Sequence, residues 1–158
     1  MKKAFSLIEL IIFMGIFSIL IFIFTDIFVS ALKTKTLEEA TASVNQDANF
    51  ILTKLQYDVN NASSITQPEL GATSGSLYMT IDGVGVLYRI NAGSLERVVG
   101  TEAISLNGYN STITSLSFRN IGIPEGKSSV KIFLTIESKG KVNNRSEVIN
   151  LETTAGLR

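Results

Sequence analysis

The sequence is constrained above all by a long apolar run near its start. From Phe5 to Leu32 the only charged side chains are Glu9 and Asp26, and isoleucine, phenylalanine and leucine dominate the rest. A helix of about 20 residues, at ~1.5 Å per residue, crosses the hydrocarbon layer of a bilayer, so this run is long enough to span it. Lys2 and Lys3 precede the run, and basic residues tend to stay on the cytoplasmic side. We therefore expect a single-pass segment over this range, with the rest of the chain extracytoplasmic.

Composition narrows the functional classes open to the chain. Its 158 residues carry 14 basic and 14 acidic side chains, so overall charge gives no reason to expect a nucleic-acid partner. The sequence has no cysteine, which excludes disulfides, thiolate zinc sites and a cysteine nucleophile. It also has no histidine, the commonest general base and metal ligand. We therefore predict no catalytic residues, no metal, no cofactor and no enzymatic activity.

Glu9 is the residue that the apolar run does not explain. An acidic side chain within a membrane helix costs roughly 2.5 to 3.5 kcal/mol on insertion scales, so its presence calls for a positive partner nearby. One interpretation is a secretory signal cut after Ala31, but the run is longer than the ~7 to 15 apolar residues usual for such signals. A second is a plain single-pass anchor, which gives the carboxylate no role.

A third interpretation rests on a motif at the N-terminus. The motif is a basic leader, a small residue, a phenylalanine and, four positions later, a glutamate: Lys2 and Lys3, Ala4, Phe5 and Glu9. It resembles the N-terminus of type IV prepilins and pseudopilins. In that family an aspartic peptidase removes the leader on the cytoplasmic side and N-methylates the new terminus. The resemblance therefore implies that residues 1–4 are a leader, that cleavage falls between Ala4 and Phe5, and that Phe5 is N-methylated.

The same resemblance implies a role for Glu9 in subunit assembly. Cleavage would leave the α-amine of Phe5 as a cation at the cytoplasmic end of the helix. In a filament of staggered subunits, the Glu9 carboxylate of one subunit can pair with this amine on a neighbour, in a medium where such a pair is strong. The implied partners are other pilin or pseudopilin subunits, the prepilin peptidase and the inner-membrane assembly platform. The implied location is the inner membrane, followed by the pilus or pseudopilus.

A periodic apolar stripe continues beyond the membrane segment. Its members recur every three or four residues, as on one face of a helix. They are Leu37, Ala40, Val44, Ala48, Ile51, Leu55, Val59 and Ala62. Polar side chains, Asp58 among them, are assigned to the other faces. Because no proline occurs before Pro68, the pattern predicts one helix from Phe5 to about Ala62, whose second part, residues 33–62, is amphipathic.

The remainder of the chain, residues 63–158, has the alternating pattern of short antiparallel strands. Tight-turn residues punctuate it, beginning with a turn-rich stretch from Asn60 to Gly75 and including Asp82-Gly83. The candidate strands are Leu77–Ile81, Val84–Ile90, Leu95–Val99, Ile113–Phe118, Val130–Ile136 and Glu147–Leu151. We expect them to form an antiparallel sheet that covers the helix stripe, so the predicted fold class is α+β. The N-terminal resemblance implies that this arrangement is pilin-like.

Three further features resemble the J-type minor pseudopilins and the W-type minor pilins. They are an acid near a small residue at the helix end, a Tyr-Arg strand and a Leu-x-Arg step: Asp58 and Ala62, Tyr88-Arg89, and Leu95-Glu96-Arg97. This resemblance implies a low-copy subunit at the initiating tip of a filament, in a type II secretion, type IV pilus or competence apparatus. Contact with DNA is expected only in the competence case.

Two other functions stay open on the sequence. One is an anchored extracytoplasmic binding module that never polymerises, which would retain its leader. The other is a secreted β protein released at Ala31, which would begin at Leu32. The filament subunit would instead begin at a methylated Phe5, so the N-terminus of the mature chain separates the three hypotheses.

Overall fold

One long helix opens the structure. This structure is a computed structural model that describes residues 6–123, 126–142 and 145–158. The helix, α1, spans Leu7–Asn61, so the sequence correctly predicts a single long N-terminal helix. The chain divides into two compact units, one ending at Glu38 and one from Glu39 to Arg158, and α1 contributes residues to both.

Nine strands follow α1 within the described residues. They are β1 Ala62–Gln67, β2 Thr73–Ser74, β3 Leu77–Ile81, β4 Val84–Asn91, β5 Ser94–Val99, β6 Glu102–Ser105, β7 Ser111–Asn120, β8 Ser129–Val142 and β9 Arg145–Gly156. All the pairings between them are antiparallel. The predicted α+β class is confirmed.

The strands form two sheets, whereas the sequence predicted one. A five-stranded sheet has the order β1-β3-β4-β5-β6, and a four-stranded sheet has the order β2-β7-β8-β9. The apolar stripe of a helix covers an arc of about 100° or more. Both sheets contribute buried side chains to the core against this stripe, so one helix is packed by two sheets.

The segment directly after α1 also differs from its prediction. The stretch from Asn60 to Gly75 was expected to be rich in turns, but it contains β1 and the short β2. β1 pairs with β3 through two register shifts, and its side chains are mostly exposed. Ser, Thr and Gln at such exposed positions carry no alternating apolar signal, which is why the sequence pattern did not predict this strand.

The core is a single apolar cluster in the second unit. From α1 it takes the buried stripe, and Val44, Ile51, Leu55 and Val59 are fully buried. The inner faces of the two sheets supply most of the rest: Leu77, Met79, Val86, Tyr88, Leu95, Ile113, Leu116, Phe118, Val130, Ile132, Leu134, Ile136 and Ala155. The predicted stripe is thus correct from Val44 onward, whereas Leu37 is exposed and lies in the first unit.

Two hairpins of the five-stranded sheet use turns in which both central residues have positive φ. Asp82 and Gly83 have φ of 50° and 78° between β3 and β4, as the Asp-Gly signal predicted. Ala92 and Gly93 have φ of 48° and 79° between β4 and β5. Such turns match the twist of the flanking strands, but they favour Asn, Asp or Gly over alanine at the first central position.

Replacing Ala92 by asparagine is expected to stabilise the domain. Asparagine occupies the left-handed region at lower cost than alanine, so the free energy of unfolding should rise by about 0.5 kcal/mol. The measurement is urea unfolding of the full chain in detergent, followed by circular dichroism. The matched variant, Gly93→Ala, should destabilise, because its Cβ would lie 2.7 Å from Cγ2 of Thr112 at a φ of 79°. Equal midpoints for the two variants would contradict this account of the turn.

Candidate functional site

The first unit presents an apolar helical surface. Every large apolar side chain from Leu7 to Leu32 is exposed. Among the described residues, α1 is the one helix that is long and apolar enough to cross a membrane. A signal sequence can meet the same criteria of length and composition. The segment is therefore compatible with a single-pass membrane anchor.

Two hydroxyl groups of this segment, those of Ser18 and Thr25, are satisfied within the helix itself. Ser18 Oγ donates to the carbonyl oxygen of Met14, and Thr25 Oγ1 donates to that of Ile21, each at 2.8 Å. A hydroxyl bonded in this way does not need water, and an unsatisfied polar group in hydrocarbon costs several kcal/mol. These two residues therefore do not oppose insertion, which leaves the acids Glu9 and Asp26 as the charged residues of the segment.

Glu9 lies in the first turn of α1, and its side chain is exposed. Ser6 precedes the helix, and its Oγ accepts a hydrogen bond from the backbone N–H of Glu9 at 3.3 Å. Serine before a helix and glutamate three residues later form the pattern of a capping box. Capping of α1 is therefore an alternative role for Glu9, besides pairing with the amine of a neighbouring subunit. The predicted cleavage residues, Ala4 and Phe5, lie outside the described residues. The position of Phe5 relative to Glu9 therefore lies outside what the structure describes.

The second unit contains a buried charged cluster centred on Asp58, the Asp58 cluster. Asp58 lies in the last turns of α1 and is only 2% exposed. Its Oδ2 accepts hydrogen bonds from Tyr88 Oη of β4 at 2.6 Å and from Arg97 Nε of β5 at 2.7 Å. Its Oδ1 accepts one from Lys54 Nζ, one helical turn earlier, at 2.9 Å. The cluster thus ties the end of α1 to two strands of the five-stranded sheet.

Its hydrogen bonds decide the protonation state of this cluster. Burial alone would raise the pKa of Asp58, but the hydrogen bonds from Tyr88, Lys54 and Arg97 outweigh burial and hold that pKa below its ordinary value. Burial and the bond to the carboxylate raise the pKa of Tyr88. Burial acts to lower the pKa of Arg97, but the contact with Asp58 raises it. The cluster is therefore a carboxylate held by a neutral phenol and two cations, which suits a structural contact.

The cluster predicts how stability depends on pH. Because the pKa of Asp58 is lower in the folded chain, its contribution is present above about pH 4, the ordinary carboxyl value, and is lost as pH falls further. Because the pKa of Tyr88 is raised on folding, its contribution is present below about pH 10 and is lost above it. Urea unfolding of the full chain at several pH values should show both losses.

The comparison between variants isolates Asp58 from the other acids. Below about pH 4, the free energy of unfolding should fall less steeply with pH in Asp58→Asn than in the wild type. The difference is the contribution of one titrating group, up to about 1.4 kcal/mol per pH unit. Glu69→Gln, at an exposed loop position, is the matched control and should keep the wild-type slope. An unchanged acid slope in Asp58→Asn would contradict the assignment.

The sequence misplaced Asp58, and the structure corrects it. The periodic pattern assigned this residue to a polar face of the helix, yet it is among the most buried of the polar residues. A signal was present, since position 58 falls three residues after Leu55 and four before Ala62, both in the buried stripe. Three residues behind the finer resemblance, Asp58, Tyr88 and Arg97, meet in this cluster. Arg89 instead pairs with Glu96 at 3.0 Å on the exposed side of the sheet.

Known proteins add no identification. Comparison of the chain with protein-family models, with curated proteins and with solved structures gave no match in any of the three. The fold and these two regions therefore define the chain as an α+β protein with one long apolar N-terminal helix compatible with a membrane anchor.

Proposed function

We propose that this chain is a structural subunit of a filament of the type IV pilin and pseudopilin class. In this proposal, prepilin peptidase cuts between Ala4 and Phe5 and methylates Phe5. The exposed apolar helix is held first by lipid and later by the helices of neighbouring subunits. The observation that carries the proposal is an acidic residue, Glu9, in the first turn of a helix whose first part, as far as Leu32, is exposed, long enough to cross a membrane and apolar except for Glu9 and Asp26.

Energetics explain why such an acid favours assembly. Alone in a bilayer, a carboxylate in the helix is costly, by up to roughly 2.5 to 3.5 kcal/mol at the helix centre. The α-amine that cleavage would create at Phe5 belongs to the residue four positions before Glu9 in the sequence. When a neighbouring subunit presents this amine in a low-dielectric surrounding, both charges are compensated at once. Assembly then relieves a cost that insertion imposes, and the pair sets the register between subunits.

The second unit supports a structural role. The Asp58 cluster fixes the helix end to β4 and β5 through three hydrogen bonds to one carboxylate. A subunit that is pulled out of a membrane by its neighbours needs its folded domain to stay attached to its helix. Asp58, Tyr88 and Arg97 are also among the residues on which the resemblance to the J-type and W-type minor subunits rests. Their contact in this cluster gives a physical reason for their presence. We propose on this basis a minor subunit of a secretion, pilus or competence filament.

Fractionation of cells that contain the whole assembly apparatus tests the function. The tagged full chain should appear with filaments sheared from the cell surface, as well as in the membrane. Cells that lack the assembly ATPase are the control, and there the chain should stay in the membrane fraction. An anchored module that never polymerises would remain in the membrane in both strains, and a secreted protein would appear free in the medium. Either result would overturn the proposal.

A further inference from the structure

The two sheets have four edge strands, and three of these are short or irregular. β2 has two residues and β6 has four. β1 has six residues, with register shifts at two places. β9 is different, because it has 12 residues and pairs with β8 in unbroken register from Gly156 back to Val148. Short and bulged edges resist the addition of another strand, whereas a long regular edge is a template for it.

Every second residue of β9 directs its backbone N–H and C=O groups away from β8, toward the open edge of the sheet. Leu157, directly after β9, donates its N–H to the carbonyl oxygen of Ser128 at 3.0 Å, in register with the pairs of β8 and β9. Bonded and outward-facing residues alternate along an antiparallel edge strand. The residues whose N–H and C=O groups face outward are therefore Val148, Asn150, Glu152 and Thr154. No strand in the described part of the chain pairs with β9 on that side.

Apolar burial is also incomplete at this edge. Ile149 and Leu151 lie on the inner side of β9, packed against the core, yet they are only half-buried. On the adjacent strand β8, the inner residues Ile132, Leu134 and Ile136 are at most 2% exposed. α1 reaches this side of β9, since Gln56 Nε2 donates to Thr153 Oγ1 at 2.9 Å, but part of the surface of Ile149 and Leu151 stays open at the edge. One more strand would cover these side chains and pair the outward backbone groups.

The edge carries almost no net charge. From Val148 to Gly156 its only charged residue is Glu152, and Lys131 of β8 pairs with that carboxylate at 2.5 Å. The same stretch contains neither lysine nor proline, the residues that commonly protect an edge from pairing. An occupant of this edge is therefore expected to be neutral, with apolar side chains at alternate positions.

We propose that β9 receives an extended segment of a different polypeptide, which adds a fifth strand to the four-stranded sheet. Backbone hydrogen bonds from Val148, Asn150, Glu152 and Thr154 hold the segment. Its apolar side chains cover Ile149 and Leu151. This is strand addition at a sheet edge, in which main-chain bonds give affinity and alternate side chains give specificity.

A second copy of this chain does not fit the edge, an argument that rests on the proposed membrane anchoring. The start of β9 lies near the α1 residue Ala40, since Gly140 of β8 approaches Ala40, whereas Arg158 bonds the carbonyl oxygen of Asn60. β9 thus runs in the same direction as this part of α1. Antiparallel pairing of two β9 edges would make the two α1 helices run in opposite directions, although both chains enter from the same membrane. Parallel pairing would turn the two apolar faces to opposite sides of the sheet.

Site-specific photo-cross-linking of the full chain in its native cells tests the proposal. Benzoylphenylalanine at position 148 and, separately, at position 154 should cross-link to one partner segment at sites about six residues apart, because paired strands advance together. The key variant is Asn150→Pro, which removes an outward N–H but no backbone bond to β8. It also loses the bond that Thr135 Oγ1 of β8 donates to Asn150 Oδ1 at 2.8 Å, a loss that the control variant shares. Its matched control is Asn150→Ala, which keeps that N–H. We expect Asn150→Pro to lower the cross-linking yield about tenfold and Asn150→Ala to leave it within about twofold.

Each outcome decides the proposal. Support requires both the spacing of the two cross-links and the selective loss in Asn150→Pro, with circular dichroism showing that this variant is folded. Cross-links to a second copy, cross-links at unrelated sites, equal yields in the two variants or no cross-link at all would overturn it. The N-terminus of the mature chain is determined by mass spectrometry in the same samples. A methylated Phe5 without the edge cross-links defeats this inference alone, whereas a retained leader with them defeats only the proposed function.

Discussion

Replacing Glu9 by leucine is expected to remove the chain from filaments while leaving it in the membrane. Insertion should be unchanged or improved, because the substitution removes a carboxylate whose cost is at most the roughly 2.5 to 3.5 kcal/mol of an acid at the centre of a membrane helix. Docking should suffer, because the neighbour's amine would be buried without its partner. Breaking one buried ion pair costs about 3 kcal/mol or more, which is on the order of a hundredfold in an equilibrium. The measurement is the amount of chain in sheared filaments relative to the membrane.

Two matched variants separate charge from other roles of this residue. Glu9→Gln keeps the capping pattern with Ser6, since glutamine also serves in a capping box, but it removes the charge. Pairing therefore predicts that Glu9→Gln fails in assembly nearly as completely as Glu9→Leu. Asp26→Asn removes the other acid of the segment and should assemble normally. Normal filaments with Glu9→Gln would instead assign Glu9 to helix capping.

Replacing Asp58 by asparagine is expected to destabilise the domain by about 3 kcal/mol, since it removes the central charge of a buried cluster. Arg97 and Lys54 would lose their carboxylate partner, and Arg97 is 21% exposed, so water can replace only part of that interaction. Tyr88→Phe removes one bond to a charged group and should cost about 2 kcal/mol. Urea unfolding of the full chain in detergent measures both changes.

An exposed ion pair provides the control for this result. Lys131 Nζ and Glu152 Oε1 lie 2.5 Å apart, and the side chain of Glu152 is 56% exposed. Glu152→Gln should therefore change the free energy of unfolding by about 0.5 kcal/mol at most. If Asp58→Asn were as mild as Glu152→Gln, the cluster would not be what joins α1 to the five-stranded sheet. A large loss for Asp58→Asn that disappears in the background of Arg97→Met would support a specific coupling of the two residues.

The elements that sequence predicted well are those with a strong period. The helix stripe at Val44, Ile51 and Leu55 and the alternation in β8 follow directly from burial on one face. The strands it missed, β1, β2 and β6, are short or have mostly exposed side chains, so burial imposes no pattern on them. The division into two sheets depends on pairing between distant segments, such as β2 with β7, and no local pattern records that pairing.

The two charged regions show the same limit. Glu9 could be singled out from sequence because an acid in an apolar run is anomalous by itself. Asp58 could not be assigned, because its role depends on Tyr88 and Arg97, which lie 30 and 39 residues further along the chain. Its position within the apolar spacing was the only local sign. An acid at a buried helical position is therefore worth treating as a predicted ion-pair centre, with partners to be sought on strands.

The mass of the mature N-terminus tests the central claim most directly. The full chain, purified from the membrane fraction of its native cells, should have the mass of residues 5–158 with one added methyl group on Phe5. That result is what pairing between Glu9 and a neighbouring amine requires. A chain that keeps Met1 to Ala4 has no free amine at Phe5, and a chain that begins at Leu32 has lost Glu9 itself. Either mass would contradict the account.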